Sequence, residues 1–188
     1  MFGEGITVIG RRLYQLTWRH ERGYIYDAAS LTPLDSFAYA SEGWGLATNG
    51  RRLYLSDGTS RVRVIDPTTF RVERTFQVRE ADRPVWLLNE LEWVDGELWA
   101  NVFRTDLIAR IDPDSGRVLG WVDVSGLLTR DELDTVRRRG GVPNGIAYDA
   151  MRRRVLITGK FWPRMFEVDL GQARGAVPAD PASSPPDV

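Results

Sequence analysis

Hydrophobic and polar residues alternate in short runs along the first 170 positions, and the runs end at glycine or aspartate turns. The most informative run covers residues 88–103. It predicts two strands joined by an Asp95-Gly96 turn, because alternating apolar, β-branched and aromatic residues flank a dipeptide typical of tight hairpins. The first strand opens with an amide and two carboxylates, Asn89, Glu90 and Glu92. Such a start is unusual for a core strand and marks this end as a place for polar chemistry.

Related hairpins recur along the chain. The run Gly-Arg-Arg-Leu-Tyr at 10–14 returns at 50–54, 40 residues later, and the Gly96 hairpin follows after another 46 residues, with a weaker copy at 153–160. An aspartate turn follows each hairpin, at Asp27, Asp66, Asp112 and Asp169, and an Asp side chain can bond the backbone ahead of it. Each unit therefore contains four strands: the two of the hairpin, a third before the aspartate turn and a fourth after it. Four strands repeated every 40 to 46 residues are typical of the blades of a propeller. We therefore predict an all-β chain forming a β-propeller.

The predicted blades lie near residues 2–40, 41–86, 87–125 and 142–170, which form one domain. Between the third and fourth blades, Thr129 and Glu132 match a capping box and predict a helical insert at 129–139 that Gly140-Gly141 would end. Residues 171–188 are rich in Pro, Ala and Ser and are predicted to be a disordered tail.

Composition excludes several kinds of chemistry. The net charge is −1, and the short arginine clusters lie mainly beside turns, so neither nucleic acid nor an anionic membrane is an expected partner. The chain has no Cys and one His, His20, in a polar turn, which argues against thiol nucleophiles, Cys/His zinc sites and a Ser-His-Asp triad. No long apolar run and no export signal are present, so the compartment stays open. Acid–base chemistry falls to Asp and Glu.

Polar residues stand at the start of each predicted innermost strand, which in a propeller lines the central channel. If the blades are equivalent, these residues converge at one mouth of the channel: Glu4, Glu42, Trp44, Asn89, Glu90 and Asn144. The second strands would add Trp18, Phe103, Lys160 and Trp162. Aromatic walls with a few carboxylates and amides suit a small polar molecule and a proton transfer. Taken singly, the Trp residues could instead be inter-blade core, and the Glu and Lys residues solvated surface.

These residues lie in motifs that resemble the plant and bacterial type of glutaminyl cyclase, the glutamine cyclotransferase family. The similarity extends over roughly residues 2–170. The matching runs are Phe-Gly-Glu-Gly at 2–5, Leu-Tyr-Gln-Leu-Thr-Trp at 13–18, Gly-Trp-Gly-Leu-Ala-Thr at 43–48, Ser-Asp-Gly-Thr-Ser at 56–60, Leu-Asn-Glu-Leu-Glu-Trp at 88–93, Trp-Ala-Asn-Val at 99–102, Asn-Gly-Ile-Ala-Tyr-Asp at 144–149 and Thr-Gly-Lys-Phe-Trp-Pro at 158–163. So many motifs in the same order make the resemblance specific.

The resemblance implies a five-bladed propeller that converts the N-terminal Gln of a peptide into pyroglutamate and ammonia, with no metal or other cofactor. It implies Glu4 as the general acid and base, with Asn89, Lys160, Trp18 and Trp44 in the pocket. Phe103 replaces a family Trp. The family's first blade, whose Phe-Thr-Gln-Gly motif supplies a pocket Gln, has no counterpart, so we expect about four blades. Relatives are often exported, and we expect a monomer.

The expected mechanism assigns three roles. Glu4 is the catalytic acid and base, Lys160 and Asn89 stabilise the oxyanion, and a third group of residues binds the substrate: Trp18, Trp44, Glu90, Phe103, Asn144 and Trp162. An aromatic surrounding is expected to raise the pKa of Glu4. Two alternatives stay open: a propeller that binds peptides without catalysis, and a lactonase-type hydrolase with a channel Ca²⁺ held by Glu and Asn oxygens.

Overall fold

A computed structural model describes residues 1–168 of the chain. It contains four consecutive antiparallel sheets in which each strand pairs with the next in sequence. The first sheet consists of β1 (Gly3–Ile9), β2 (Arg12–Thr17), β3 (Arg22–Asp27) and β4 (Pro33–Ala38). The second consists of β5 (Leu46–Thr48), β6 (Leu53–Ser56), β7 (Arg61–Ile65) and β8 (Val72–Gln77). Each sheet is one blade.

The short hairpin of β9 (Arg79–Glu80) and β10 (Arg83–Pro84) precedes the third blade. That blade consists of β11 (Leu88–Val94), β12 (Glu97–Val102), β13 (Leu107–Ile111) and β14 (Val118–Asp123). The fourth has three described strands, β15 (Pro143–Asp149), β16 (Arg154–Gly159) and β17 (Phe166–Val168). The predicted four-blade propeller arrangement is confirmed.

The turns form for the local reasons visible in the sequence. Between β11 and β12, Asp95 and Gly96 have φ values of 47° and 90°, the left-handed pair that a tight hairpin requires. At the aspartate turns the carboxylate accepts backbone N–H groups two and three residues ahead; Asp66, for example, accepts from Thr68 and Thr69 at 2.9 and 2.7 Å. These bonds lower the pKa of Asp66. The predicted position of Asp169 lies outside the described residues.

The core lies between neighbouring blades. Middle strands such as β6 are buried on both faces, because one face packs on the preceding blade and the other on the following blade. Three clusters of buried apolar side chains fill the three successive interfaces. The outermost strands, such as β8, are mostly exposed. Stability therefore comes from stacking blades, and each blade needs its neighbours.

Helix α1 (Arg130–Arg138) connects the third and fourth blades. The Thr129 hydroxyl accepts the Glu132 N–H, and the Glu132 carboxylate accepts the Thr129 N–H, which is the capping box expected from the sequence. Val136 is the buried residue of the helix. Within residues 1–168, no helix combines the length and apolar character needed to cross a bilayer.

Candidate active site

An irregular register places the first group of candidate residues. In blades one, three and four, the pairing of the innermost strand with the second strand breaks just after its first pair, which forms a bulge. A bulge bends the strand and redirects the side chain it contains. The residue directly after that first pair is polar in all three blades: Glu4, Asn89 and Asn144.

Trp44 takes the corresponding place in the second blade. It lies two residues before Leu46, which pairs with Leu55, as Glu4 lies two residues before Ile6, which pairs with Gln15. The Gly5 N–H donates to the Trp44 carbonyl at 3.0 Å, so the first two blades are joined at this level. We call this place, held by Glu4, Trp44, Asn89 and Asn144, the inner position. Four blades thus contribute equivalent side chains to one end of the channel, its mouth.

A second equivalent place follows the second strand of each blade. The backbone N–H of the residue there donates to the carbonyl of the residue just before the innermost strand. The three bonds are Trp18 to Phe2 at 3.1 Å, Phe103 to Leu87 at 2.9 Å and Lys160 to Val142 at 2.9 Å. We call this the turn position. Phe103 and Lys160 each lie in a tight turn whose next residue, Arg104 or Phe161, has φ above 60°. Bulky residues rarely adopt that conformation, and such strain is common at functional sites.

The turn position of the second blade is Gly58, three residues after Leu55. Gly58 has φ 79°, and a Cβ there would lie 2.7 Å from the Trp44 ring. The absence of a side chain therefore leaves the space that the Trp44 indole fills. The Gly-Trp-Gly motif at 43–45 and the Ser-Asp-Gly motif at 56–58 therefore meet in the folded chain.

Aromatic rings form a wall around the mouth. Phe2 and Trp18 meet edge to face at 6.3 Å, and Trp44 and Phe103 do so at 5.6 Å. The two pairs are joined through Glu42, whose Oε2 accepts from the indole Nε1 of Trp18 at 2.8 Å and of Trp44 at 2.9 Å. Trp18, Trp44 and Phe103 remain partly exposed at the mouth.

Glu4 holds the inner position of the first blade, and its pKa is raised. Burial causes the rise, and the positive charge of Lys160 partly offsets it. Hydrogen bonds do not contribute to the shift of Glu4. A partly desolvated carboxylate whose charge is balanced by one cation is suited to taking up and releasing a proton.

Amide side chains lie between the carboxylates. Asn89 is buried at 4% exposure and Asn101 at 1%. Asn101 Oδ1 accepts the Gly145 N–H at 3.1 Å and thereby ties the third blade to the start of β15. The Asn101 Nδ2 and Asn144 Oδ1 atoms are shielded from solvent and have no hydrogen-bond partner within residues 1–168. Unpaired buried polar atoms are unfavourable, so a donor or acceptor from a bound molecule would be stabilising there.

Glu90 and Glu92 lie deeper in the channel. Both line an open cavity of about 690 Å³ between the innermost strands, together with Ile6, Val8 and Tyr148. The Tyr148 N–H donates to Glu92 at 2.8 Å. Burial raises the pKa of both carboxylates, and that of Glu90 is raised further by the neighbouring charge of Glu92, with a smaller opposing effect from the Ile146 N–H. Glu90 therefore faces the channel below the mouth.

The remaining tryptophans lie in or against the core between blades. Trp162 packs against the third core cluster and meets Phe166 edge to face at 5.8 Å, while its Nε1 is buried without a partner within the described residues. It also lines a smaller cavity of about 180 Å³ beside α1. Trp93 packs against the core between the second and third blades, and Trp99 belongs to the core between the third and fourth. His20 is exposed in its loop.

Three contributors were not among the predicted site residues: Glu42, Gly58 and Asn101. Glu42 was expected near the mouth but had no assigned role, and its two Trp partners depend on ring directions that a sequence does not give. Gly58 and Asn101 lie inside family motifs, so their presence was visible while their contacts were not. Across residues 1–168, three or more Asp, Glu or His side chains nowhere come together in a way that could hold a metal ion.

The fold and site define a class: a β-propeller with a polar and aromatic site at one mouth of its channel. The family model for glutamine cyclotransferase matches residues 1–170. A glutaminyl-peptide cyclotransferase of Arabidopsis thaliana is 44% identical over 173 residues, which cover 92% of this chain and 54% of that protein. The chain belongs to the glutamine cyclotransferase family.

Solved structures agree with this assignment. The crystal structure of Myxococcus xanthus glutaminyl cyclase superposes with a TM-score of 0.84 at 37% identity, covering 89% of this chain and 72% of that one. The WD40 β-propeller domain of Doa1 superposes with a TM-score of 0.55 at 7% identity, which bears on the fold alone. The chain spans about half the length of the curated relative it matches.

Proposed function

We propose that this chain converts the N-terminal glutamine of peptides into pyroglutamate with release of ammonia, using Glu4 as general acid and base. The observation that carries the proposal is the position of Glu4: it occupies the inner position of the first blade, where burial raises its pKa and the charge of Lys160 acts on it. The relatives named glutaminyl-peptide cyclotransferase and glutaminyl cyclase support the same reaction.

The reaction needs one carboxylate to serve twice. The substrate's uncharged α-amine attacks the γ-carbonyl carbon of its own side chain, so a C–N bond closes the five-membered ring and the bond to the amide nitrogen breaks. Glu4 takes the proton from the attacking amine and delivers it to the departing nitrogen, which leaves as ammonia. A raised pKa favours both transfers, because it makes Glu4 a stronger base towards the amine and leaves it able to return the proton.

Oxyanion charge develops on the γ-carbonyl oxygen during attack. Lys160 occupies the turn position of blade four and Asn89 the inner position of blade three. A cation and an amide donor there would stabilise that charge, and one such donor is typically worth about 3 kcal/mol. Asn144, with an unpaired Oδ1, would accept a hydrogen bond from the substrate's N–H groups.

Holding the glutamine side chain folded back on its own amine supplies much of the rate of an intramolecular reaction. The rings of Trp18, Trp44 and Phe103 would provide the surface against which the methylene groups pack. They would also exclude water, so that ring closure is faster than hydrolysis of the amide.

The test is ammonia release, with pyroglutamate detected by mass, from a short peptide that begins with Gln. The matched control is the same peptide with an acetylated N-terminus, which cannot cyclise because its nitrogen is no longer a nucleophile. Ammonia from the free peptide alone supports the proposal, and equal release from both peptides would indicate a simple amidase. Activity that is unchanged by a chelator would weigh against the lactonase alternative.

A second candidate is a propeller that binds N-terminal glutamine without turning it over. It is favoured by one observation, the buried Asn101 Nδ2 and Asn144 Oδ1 atoms, unpaired within residues 1–168, which suit a bound polar molecule whether or not that molecule reacts. Calorimetric binding of the Gln peptide with no ammonia release would support this candidate and overturn the catalytic one.

A further inference from the structure

The Glu42 carboxylate connects two walls of the mouth. Its Oε2 accepts the indole N–H of Trp18 and that of Trp44, at 2.8 and 2.9 Å. Its Oε1 accepts from the Arg19 Nε at 3.1 Å, and the Arg19 guanidinium lies 3.9 Å above the centroid of the Trp18 ring. One carboxylate therefore holds two indoles from different parts of the chain. Arg19 pairs with that carboxylate and lies over the Trp18 ring.

This arrangement keeps Glu42 charged. Burial acts to raise its pKa, but the hydrogen bonds from Trp44 and Trp18 and the charge of Arg19 outweigh burial, and the net pKa lies below the usual value. Bonds from neutral N–H groups to an ionised acceptor are about twice as strong as bonds between neutral groups. The two rings are therefore anchored more firmly than by packing alone.

We propose that Glu42 is a positioning residue of the cyclisation reaction: it fixes the Trp18 and Trp44 rings as one rigid surface against which the N-terminal glutamine folds. The inference rests on the proposed function for its kinetic consequence. Glu42 acts through the two indoles and leaves the proton transfers to Glu4. Displacement of about 1 Å in such a surface can lower the rate of an intramolecular step about 10²-fold.

The chain offers a matched control in the third blade. Glu97 accepts the indole N–H of Trp99 at 3.1 Å and two bonds from Arg110 at 2.8 and 2.7 Å, and Arg110 lies 5.8 Å from the centroid of the Trp99 ring. The chemistry is the same, a carboxylate shared by an indole and an arginine. Trp99, however, is only 2% exposed and packs in the core away from the mouth.

The experiment compares Glu42→Ala, Glu42→Gln and Glu97→Ala with the unmodified chain. For each protein, kcat and KM are measured with a Gln peptide, thermal unfolding gives the loss of stability, and the near-ultraviolet circular dichroism and acrylamide quenching of tryptophan report on the indoles. Glu42→Gln keeps an oxygen that can accept both indoles, so it serves as the conservative variant.

We expect Glu42→Ala to lower kcat about 10- to 10²-fold with KM changed less than about threefold. Glu42→Gln should recover much of kcat. The kcat of Glu97→Ala should stay within about threefold of that of the unmodified chain, even if its unfolding temperature falls as far as that of Glu42→Ala. Equal kinetic losses in Glu42→Ala and Glu97→Ala, scaling with stability, would overturn the positioning role.

The optical measurements need no turnover, so failure of the proposed function is distinguishable from failure of this inference. Even if the unmodified chain releases no ammonia, loss of the Glu42 hydrogen bonds should make the indoles more accessible and change the near-ultraviolet spectrum in Glu42→Ala. Both effects should be largely reversed in Glu42→Gln. An unchanged spectrum and unchanged quenching in Glu42→Ala would show that Glu42 does not fix the two rings.

Discussion

Two carboxylates of the channel, Glu4 at the mouth and Glu90 below it, make an instructive pair. Burial raises the pKa of both. Around Glu4 the acting charge is the cation Lys160, whereas around Glu90 it is a second carboxylate, Glu92. The backbone of β15 interacts with Glu90 through Ile146 and with Glu92 through Tyr148. Burial thus acts on both carboxylates, more strongly on Glu90, and the sign of the neighbouring charge makes them two different kinds of group.

The difference shows what a raised pKa does and does not indicate. The pKa of Glu4 is raised by burial and lowered by the charge of one cation, Lys160. Glu90 and Glu92 supply acceptors for N–H groups on the inner edge of the next blade, and one oxygen of Glu90 stays buried without a partner within residues 1–168. We infer that Glu4 serves chemistry. We infer also that Glu90, which the sequence predicted to bind substrate, serves together with Glu92 the joint between blades three and four.

The largest expected effect is on turnover in Glu4→Gln. The amide keeps the size of the side chain and cannot transfer the proton, so ammonia release should fall about 10²- to 10⁴-fold. The unfolding temperature should change little, because Glu4 makes no hydrogen bond that contributes to its pKa shift. Steady-state kinetics and thermal unfolding check both parts. Activity that survives this change would remove Glu4 from the role of base.

A second effect concerns Lys160, whose charge lowers the pKa of Glu4. Lys160→Met removes that charge, so the pKa of Glu4 rises further and its ionised form appears only at higher pH. The acid limb of kcat/KM should therefore move to higher pH, and the plateau should fall about 10²-fold through lost oxyanion stabilisation.

Lys160→Arg retains the charge and is the control for that shift. Its acid limb should stay close to that of the unmodified chain even if its plateau falls. An acid limb that stays in place in Lys160→Met would show that the two side chains do not interact across the mouth.

The smallest effect, on stability, is expected at Glu90. Because its folded-state pKa lies above the unfolded value of about 4.3, protonation favours the folded chain, and this stabilisation is present at acid pH and lost as the pH rises through the folded-state pKa. Glu90→Gln stays neutral throughout. It should be more stable than the unmodified chain above pH 7, by about 1–3 kcal/mol, and nearly equal to it around pH 4.

Denaturant unfolding at several pH values measures this difference. Glu92→Gln provides a comparison, since Glu92 has a firm bond from the Tyr148 N–H and should gain less. If Glu90→Gln proved less stable than the unmodified chain at every pH, the Glu90 carboxylate would have to be bound in its charged form, and the contrast with Glu4 would need a different explanation.

Much of this molecule follows from local sequence. Each hairpin carries its own turn chemistry, as Asp95-Gly96 shows, and each aspartate turn closes on its own next residues. The repeat period then places the inner-position residues of successive blades at one mouth, because equivalent residues of equivalent units occupy equivalent places. The sequence alone therefore places Glu4, Trp44 and Asn89 at equivalent positions of successive blades. It also predicts the helix that Thr129 caps.

The contacts between units were decided by tertiary packing. Glu42 meets Trp18 across 24 residues, and Glu92 meets the Tyr148 N–H across 56. The Trp44 ring finds its place because Gly58, in the loop after β6, leaves room for it. Such contacts depend on the angle between blades and on the direction of each ring, which arise only when the blades stack. For that reason the sequence determined which residues reach the mouth, and only the folded chain determined which of them hold one another there.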